Sequence, residues 1–192
     1  MAYSLKNQVL SKEALKALTQ IIQKTEEKDS MSNIKLYPIG RIEVEEGNFQ
    51  LVLSSKYKDS LKGLEGFSHI QGIWWFDGCD NEIDNNQLIT QKPYTEGPER
   101  LGTFATRSPA RPNPIAITTW EIASIDYAKG IVKVYYIDAL NGTPLLDIKP
   151  YTPSLDKVGN PTVPDWCKHW PKDLEGNRDF DWEKEFNFER ND

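Results

Sequence analysis

Cysteine is scarce: Cys79 and Cys167 are the only two in 192 residues, and they form no CxxC pair. That excludes a disulfide scaffold and points to reduced thiols in a cytoplasmic protein. Histidine is equally rare, with His69 and His169 alone. These four residues have none of the paired spacing of zinc sites, so no metal centre is expected. No apolar run approaches the roughly 20 residues that span a bilayer, and no membrane role is expected. The opening residues, MAYSLKNQVLSKEALKAL, lack the apolar centre and small-residue cleavage site of a secretion signal. Basic charge is short: 23 Lys and Arg against 29 Asp and Glu give a net charge of −6. This speaks against binding nucleic acid through a broad basic face, while a local basic cluster remains compatible. No GxGxxG follows a strand and no GxxxxGK[ST] occurs, so a doubly wound nucleotide fold is not expected.

What is present is 38% hydrophobic and 27% charged, the composition of a globular chain with one core. Over 4–24, Leu5, Val9, Leu15, Leu18 and Ile22 fall on roughly one face, which predicts an amphipathic helix. The polar run 25–33 reads as a linker. From Ile34 the pattern turns to short extended segments: 34–46, then 49–54 after a Gly47-Asn48 turn, and 69–77 as a continuous apolar run. Residues 79–99 read as one long polar loop, and loops of that length are usually functional. Extended pieces follow at 103–105, 115–125, 131–137 and 143–148, rich in β-branched and aromatic residues. The expected fold is mainly β: a small antiparallel barrel or sandwich within 34–153. Residues 1–33 would form an added helix and linker. Residues 154–192 carry Trp166, Trp170, Phe180, Trp182, Phe186 and Phe188 among many acids. They read as an aromatic strap over the barrel, not a separate domain; the alternative is a stacking platform for a base.

The central stretch, ERLGTFATRSPARPNP at 99–114, is the most distinctive. Arg107 and Arg111 stand four apart among Pro109, Pro112 and Pro114. Each proline fixes its own φ and disfavours helix at the residue before it, so Ser108, Arg111 and Asn113 are expected to be extended. A segment this stiff loses little entropy when held in one shape. Arginine's planar fork suits a carboxylate or phosphate. The stretch is therefore a candidate anion or nucleotide site, or else a proline-rich connection with solvated arginines.

Three stretches together resemble one family: GLEGFSHI at 63–70, RLGTFATRSPARPNPI at 100–115 and DALNGTPLLDIKPY at 138–151. The chain resembles the TrmO-type methyltransferases, which use S-adenosylmethionine to methylate N6 of threonylcarbamoyladenosine beside the tRNA anticodon. The resemblance covers about 34–153. It implies a TrmO-like β-barrel and a homodimer with the cofactor near the subunit interface. It places Arg107 at the cofactor, with Asp77 and Gly78 as a contacting pair. Ile117, Ile137, Asp138, Ala139 and Leu140 become walls of the same pocket. On the substrate side the candidates are Arg100, Arg111, Asn113, Lys149 and Tyr151, with Lys92 a further phosphate contact. Asp138 and Asp147 are the candidate acceptors of the N6 proton; Asp147 could equally be a buried structural carboxylate pairing with Arg111 or Lys149. The chain departs from the family in lacking a Pro-Arg-Gln-Pro-Gly loop after the first strand. It also has Asp77 where a histidine usually ends the buried strand. The acceptor is accordingly read as tRNA or as a small molecule, with a non-catalytic nucleotide- or partner-binding barrel as the third reading.

Overall fold

The computed structural model describes residues 34–187, and before them Lys12, Glu13, Lys16 and Thr19. Those four are helical and exposed. The rest of the helix expected over 4–24, the linker at 25–33 and Phe188 lie outside the described residues. The chain divides into two compact units, Met1–Tyr37 and Pro38–Asp192. The second contains every candidate site residue.

Six strands of that unit close into an antiparallel barrel. They are β1 (Gly40–Glu45), β2 (Asn48–Leu53), β3 (His69–Trp75), β6 (Ile115–Asp126), β7 (Ile131–Val134) and β8 (Pro144–Pro150). The order around the barrel is β1-β2-β7-β6-β3-β8, and β8 returns to pair with β1. β4 (Ile89–Gln91) and β5 (Arg100–Gly102) form a separate two-stranded hairpin. A barrel of this kind leaves no free edge to pair with another chain.

The strands alternate as a half-buried sheet requires. In β3, Ile70, Gly72 and Trp74 are buried while Gln71, Ile73 and Trp75 between them are partly exposed. The run that looked continuously apolar therefore has two distinct faces. Ile42, Leu51, Ile70, Val132 and Leu145, all fully buried, come from five different strands and fill the interior. Trp120 lies across Gly72 in this core: a Cβ on Gly72 would stand 1.8 Å from its ring.

Four segments differ from the sequence reading. Of the extended run expected over 34–46 only Gly40–Glu45 is a strand, and the strand expected over 131–137 ends at Val134. Thr103–Ala105 is a 3-10 turn, not an extended piece. Residues 79–99 are not one loop. Asn81 caps a short helix, Glu82–Asn85, by accepting from the N–H groups of Ile83 and Asp84, and β4 follows. Both elements span only three or four residues, too short to leave a periodicity in sequence.

The aromatic segment at the C-terminal side packs ring on ring. Trp166, Trp170, Phe180, Trp182 and Phe186 form a chain of contacts with centroids 4.8–5.3 Å apart. Trp182 and Phe186 stack one helical turn apart, as their spacing suggested. The segment pairs with the link between β4 and β5: Thr95 N–H donates to Glu185 O, and Asn187 N–H to Pro93 O. It also meets the barrel wall through Arg178 and Glu121, 3.4 Å apart.

Replacing Gly72 with Ala should force the buried Trp120 ring from its place and cost about 1–3 kcal/mol in urea unfolding. Gly102→Ala, where a Cβ meets nothing within 4 Å, should stay within about 0.5 kcal/mol of the wild type.

Candidate active site

Antiparallel pairing fixes which residues share an end of the barrel. At one end lie the β1–β2 turn at Glu46-Gly47, the C-terminal end of β3, the start of β6 and the segment between β7 and β8. Asp77 and Gly78 follow β3 there, and Gly78 takes φ +80°, which favours glycine. Phe76 N–H donates to Pro114 O at 2.7 Å and ties that end of β3 to the proline-rich stretch. Asn141 Oδ1 accepts from Val44 N–H at 3.0 Å, and Gly142 N–H donates to Ile42 O. These two bonds bring Ile137, Asp138, Ala139 and Leu140 to the β1–β2 hairpin. The sequence-predicted cofactor residues thus converge on one end.

The proline-rich stretch is held by its own threonines and by Arg111. Thr103 is buried and its hydroxyl donates to Gln87 O. Thr106 is buried too, and its hydroxyl donates to Thr103 O at 2.8 Å. Arg111 Nη2 donates to Thr103 O at 3.3 Å and Thr106 O at 3.2 Å. Arg111 therefore braces the turn from within, and its binding of Asp147, one of the readings left open, is not what the structure has. Arg107 instead is exposed and donates one N–H to Ile117 O at 2.6 Å. That single contact aims the guanidinium along the start of β6 and uses one of its five donors.

The remaining candidates are spread more widely. Arg100 is exposed on β5, opposite Gln91, and Lys92 pairs with Glu99 at 3.2 Å. Asn113 is exposed and its carbonyl accepts from Ile115 N–H. Asp147 lies midway along β8, opposite Ile73, and is half-exposed rather than buried; its carboxylate accepts from Ile148 N–H at 2.9 Å and Lys149 Nζ at 2.6 Å. Tyr151 is at the other end of the barrel, with its N–H on His69 O. Gly63, Leu64 and Phe67 meet Asp147, Ile148 and Pro150 around a cavity of about 380 Å³ there. Two of the three distinctive stretches thus meet away from Arg107.

Sequence reasoning did not single out Tyr135 and Tyr136, and weighed Cys79 only as a metal ligand. Tyr135 and Tyr136 are exposed just before Ile137, and Tyr136 meets Phe49 edge-on at 5.5 Å. Partial desolvation of its hydroxyl, with the nearby Asp138, raises Tyr136 above its ordinary pKa. A double tyrosine at the close of a strand was the available signal. Burial, reinforced by Asp84 and Asp77, likewise raises the Cys79 thiol. Both cysteines are free.

A small closed β-barrel with an arginine loop at one end defines the class, and the comparisons agree with it. Residues 29–157 match the family described as tRNA-methyltransferase O N-terminal domain, and the chain belongs to that family. It is 37% identical over 109 residues to an S-adenosyl-L-methionine-binding protein of Archaeoglobus fulgidus, covering 57% of this chain and 73% of that one. It is 34% identical over 122 residues to the tRNA (adenine(37)-N6)-methyltransferase of Escherichia coli, covering 62% of this chain and 51% of that one. Among solved structures, TrmO from Pseudomonas aeruginosa superposes with a TM-score of 0.52 at 27% identity, over 68% of this chain and 61% of that chain. The chain therefore spans about half the length of the E. coli enzyme, and 29% of another A. fulgidus relative, a probable S-adenosyl-L-methionine-binding protein.

Arg111→Ala should loosen the 103–111 turn, because it strips two carbonyls of a charged donor; hydrogen bonds of this kind are worth roughly 1.5–3 kcal/mol when shielded, and less at this half-buried position. Faster amide exchange over 103–111, with the barrel strands unchanged, is the expected result.

Proposed function

We propose that this chain is a methyltransferase that uses S-adenosylmethionine to methylate N6 of a tRNA adenosine, with threonylcarbamoyladenosine as the acceptor. The observation that carries this is the placement of the Arg107–Ile117 pair and the 137–140 segment at the same end of the barrel, in a chain of the tRNA-methyltransferase O N-terminal domain family.

The residues at this end suit the cofactor. Arg107 keeps N–H donors beyond its Ile117 contact for the cofactor's carboxylate. Ile117 and Leu140, 49% and 69% exposed, offer apolar wall for an adenine. Asp77 and Asp138, both exposed, suit an ammonium or a ribose hydroxyl. When bound, S-adenosylmethionine supplies the methyl group. The chain's part is chiefly to hold cofactor and acceptor in line, which a loop braced by Arg111 and three prolines does at low entropic cost. Asp138 is the acceptor for the N6 proton. Asp147 is the weaker candidate, since its carboxylate already holds Lys149 and the Ile148 N–H.

The homodimer belongs to this reading as well. Phe104, Tyr135, Tyr136 and Leu140 are 60–84% exposed, and a second subunit would cover apolar surface of this kind. Contacts to tRNA would be few, from Arg100 and Lys92 of each subunit, so binding should weaken with salt by about 0.9 log units per log unit of salt for each phosphate.

A small-molecule acceptor is the second reading. It is favoured by the net charge of −6 and by the two-residue β1–β2 turn, which leaves no room for the family's longer loop.

The test begins with calorimetric titration of S-adenosylmethionine. Arg107→Ala should weaken binding by roughly 1.5–3 kcal/mol. Bound cofactor should also slow alkylation of Cys79, next to Gly78. Methyl incorporation should then require the threonylcarbamoyl group on tRNA. Incorporation into neither tRNA, with cofactor binding intact, would favour the small-molecule acceptor. No cofactor binding at all would leave a non-catalytic barrel.

A further inference from the structure

The β4–β5 hairpin is the one sheet among the described residues that pairs with no barrel strand. Two strands alone are marginal in water, so other contacts must hold them. The link between them, 93–96, is where the aromatic strap takes hold. Tyr94 is buried there: Trp166 stacks on its ring at 5.2 Å with the planes 17° apart, Trp170 meets it edge-on at 4.9 Å, and Phe186 lies at 5.9 Å.

The main chain is held by the same segment. Tyr94 and Phe186 form an antiparallel bridge. Thr95 donates its N–H to Glu185 O and its hydroxyl to Lys184 O, and Pro93 O accepts from Asn187 N–H. Immediately before this grip Lys92 takes φ +34°, a conformation unfavourable to a residue with a Cβ. Backbone of that kind persists where its surroundings fix it. Here Lys92 N–H donates to Glu99 O at 2.8 Å, and Pro93 follows it into the hold of the strap.

One side chain closes this junction. Glu185 is buried, and its Oε1 makes no hydrogen bond among the described residues. Its Oε2 lies 2.9 Å from His169 Nε2. The other ring nitrogen, Nδ1, lies 3.6 Å from Glu96, on the link itself. Each nitrogen of an imidazolium carries an N–H, so one ring can serve both carboxylates. A buried carboxylate without a partner is costly, and His169 is the partner that the Glu185 side chain has. His169 therefore ties strap to link where the rings and main-chain bonds already meet.

We propose that the strap is a clasp on the β4–β5 hairpin and that His169 is the positioning residue that closes it. By joining Glu185 to Glu96 it steadies the link, and so fixes where Lys92, beside the link, and Arg100, on β5, stand for an approaching tRNA. The strap is itself tied to the barrel wall by Arg178 and Glu121. The hairpin thereby gains a fixed reference in the barrel that its own strands do not provide. The part that concerns tRNA rests on the function proposed above; the hold on the hairpin does not.

Amide exchange tests the hold. In His169→Ala, peptides covering 89–102 should exchange about three- to tenfold faster, the range one hydrogen bond supplies. Peptides from β1, β2 and β7 should stay at wild-type rates. Exchange over 89–102 equal to the wild type would overturn the proposal and leave His169 as packing alone. Should the bare Glu185 carboxylate prevent folding, His169→Ala combined with Glu185→Gln removes the buried charge together with its partner, and the same rise is expected. Glu96→Gln alters an exposed position and leaves the strap as it is. It should speed exchange over 89–102 by about twofold, the scale of an exposed ion pair, and unchanged rates there would overturn the tie to the link.

Binding measurements separate positioning from a general loosening. His169→Ala should weaken tRNA binding several-fold, while S-adenosylmethionine binds as it does to the wild type. The loss should shrink when Lys92 and Arg100 are both replaced by Ala, because the clasp acts through those cations. Equal losses in both backgrounds, or a matching loss of cofactor affinity, would overturn the positioning role. If the wild type binds no tRNA, the proposed function fails, and the exchange measurements still decide whether His169 holds the hairpin.

Discussion

The barrel closes at Gly40, and the arrangement of the site depends on that closure. Gly40 pairs with Leu53 on one side and Leu145 on the other, so it joins the first strand to both of its neighbours. A Cβ there would stand 2.2 Å from Val52 O and 2.8 Å from Leu53 Cα, both main-chain atoms that cannot swing away. Only glycine lets β1 and β2 approach this closely while β8 docks from the far side. Once β8 is fixed against β1, the segment before it must cross the end of the barrel. That is how Asp138 and Leu140 come to the same end as Arg107.

Within that frame the two arginines of the central stretch divide two tasks. Arg111 turns inward, onto the carbonyls of Thr103 and Thr106, and replaces hydrogen bonds that an irregular turn cannot make with itself. Arg107 stays at the surface with a single tether. Prolines restrict the chain between them, so the inner arginine fixes the turn and the outer one is presented by it. The residue types alone do not show this division, since both positions read as equally available cations.

The barrel itself was legible because β-branched and aromatic residues recur at strand length, and the longer strands were found within about three residues of their bounds except the first, which was read from Ile34 and begins at Gly40. The three-residue strands β4 and β5 and the turn at Thr103–Ala105 were not, because so short a run carries no period. The cofactor candidates could be placed on sequence motifs, and the fold brings them to one end. Asp147, Lys149 and Tyr151 belong to one equally clear motif, yet β8 carries them towards the other end, and only the register reveals it. The burial of Tyr94, between β4 and β5, under the rings of the strap was beyond reach for a different reason. Its partners Trp166, Trp170 and Phe186 lie some 70–90 positions along the chain, and no local pattern encodes such a contact.

That long reach bears on how the molecule comes apart. The strap is joined to the rest by an aromatic cluster, a few main-chain bonds and the Arg178–Glu121 contact, whereas the barrel is a continuous ladder. Elements with fewer ties open at lower free energy than the global unfolding. Warming would therefore free the strap, and with it the 93–96 link between β4 and β5, while the barrel persists.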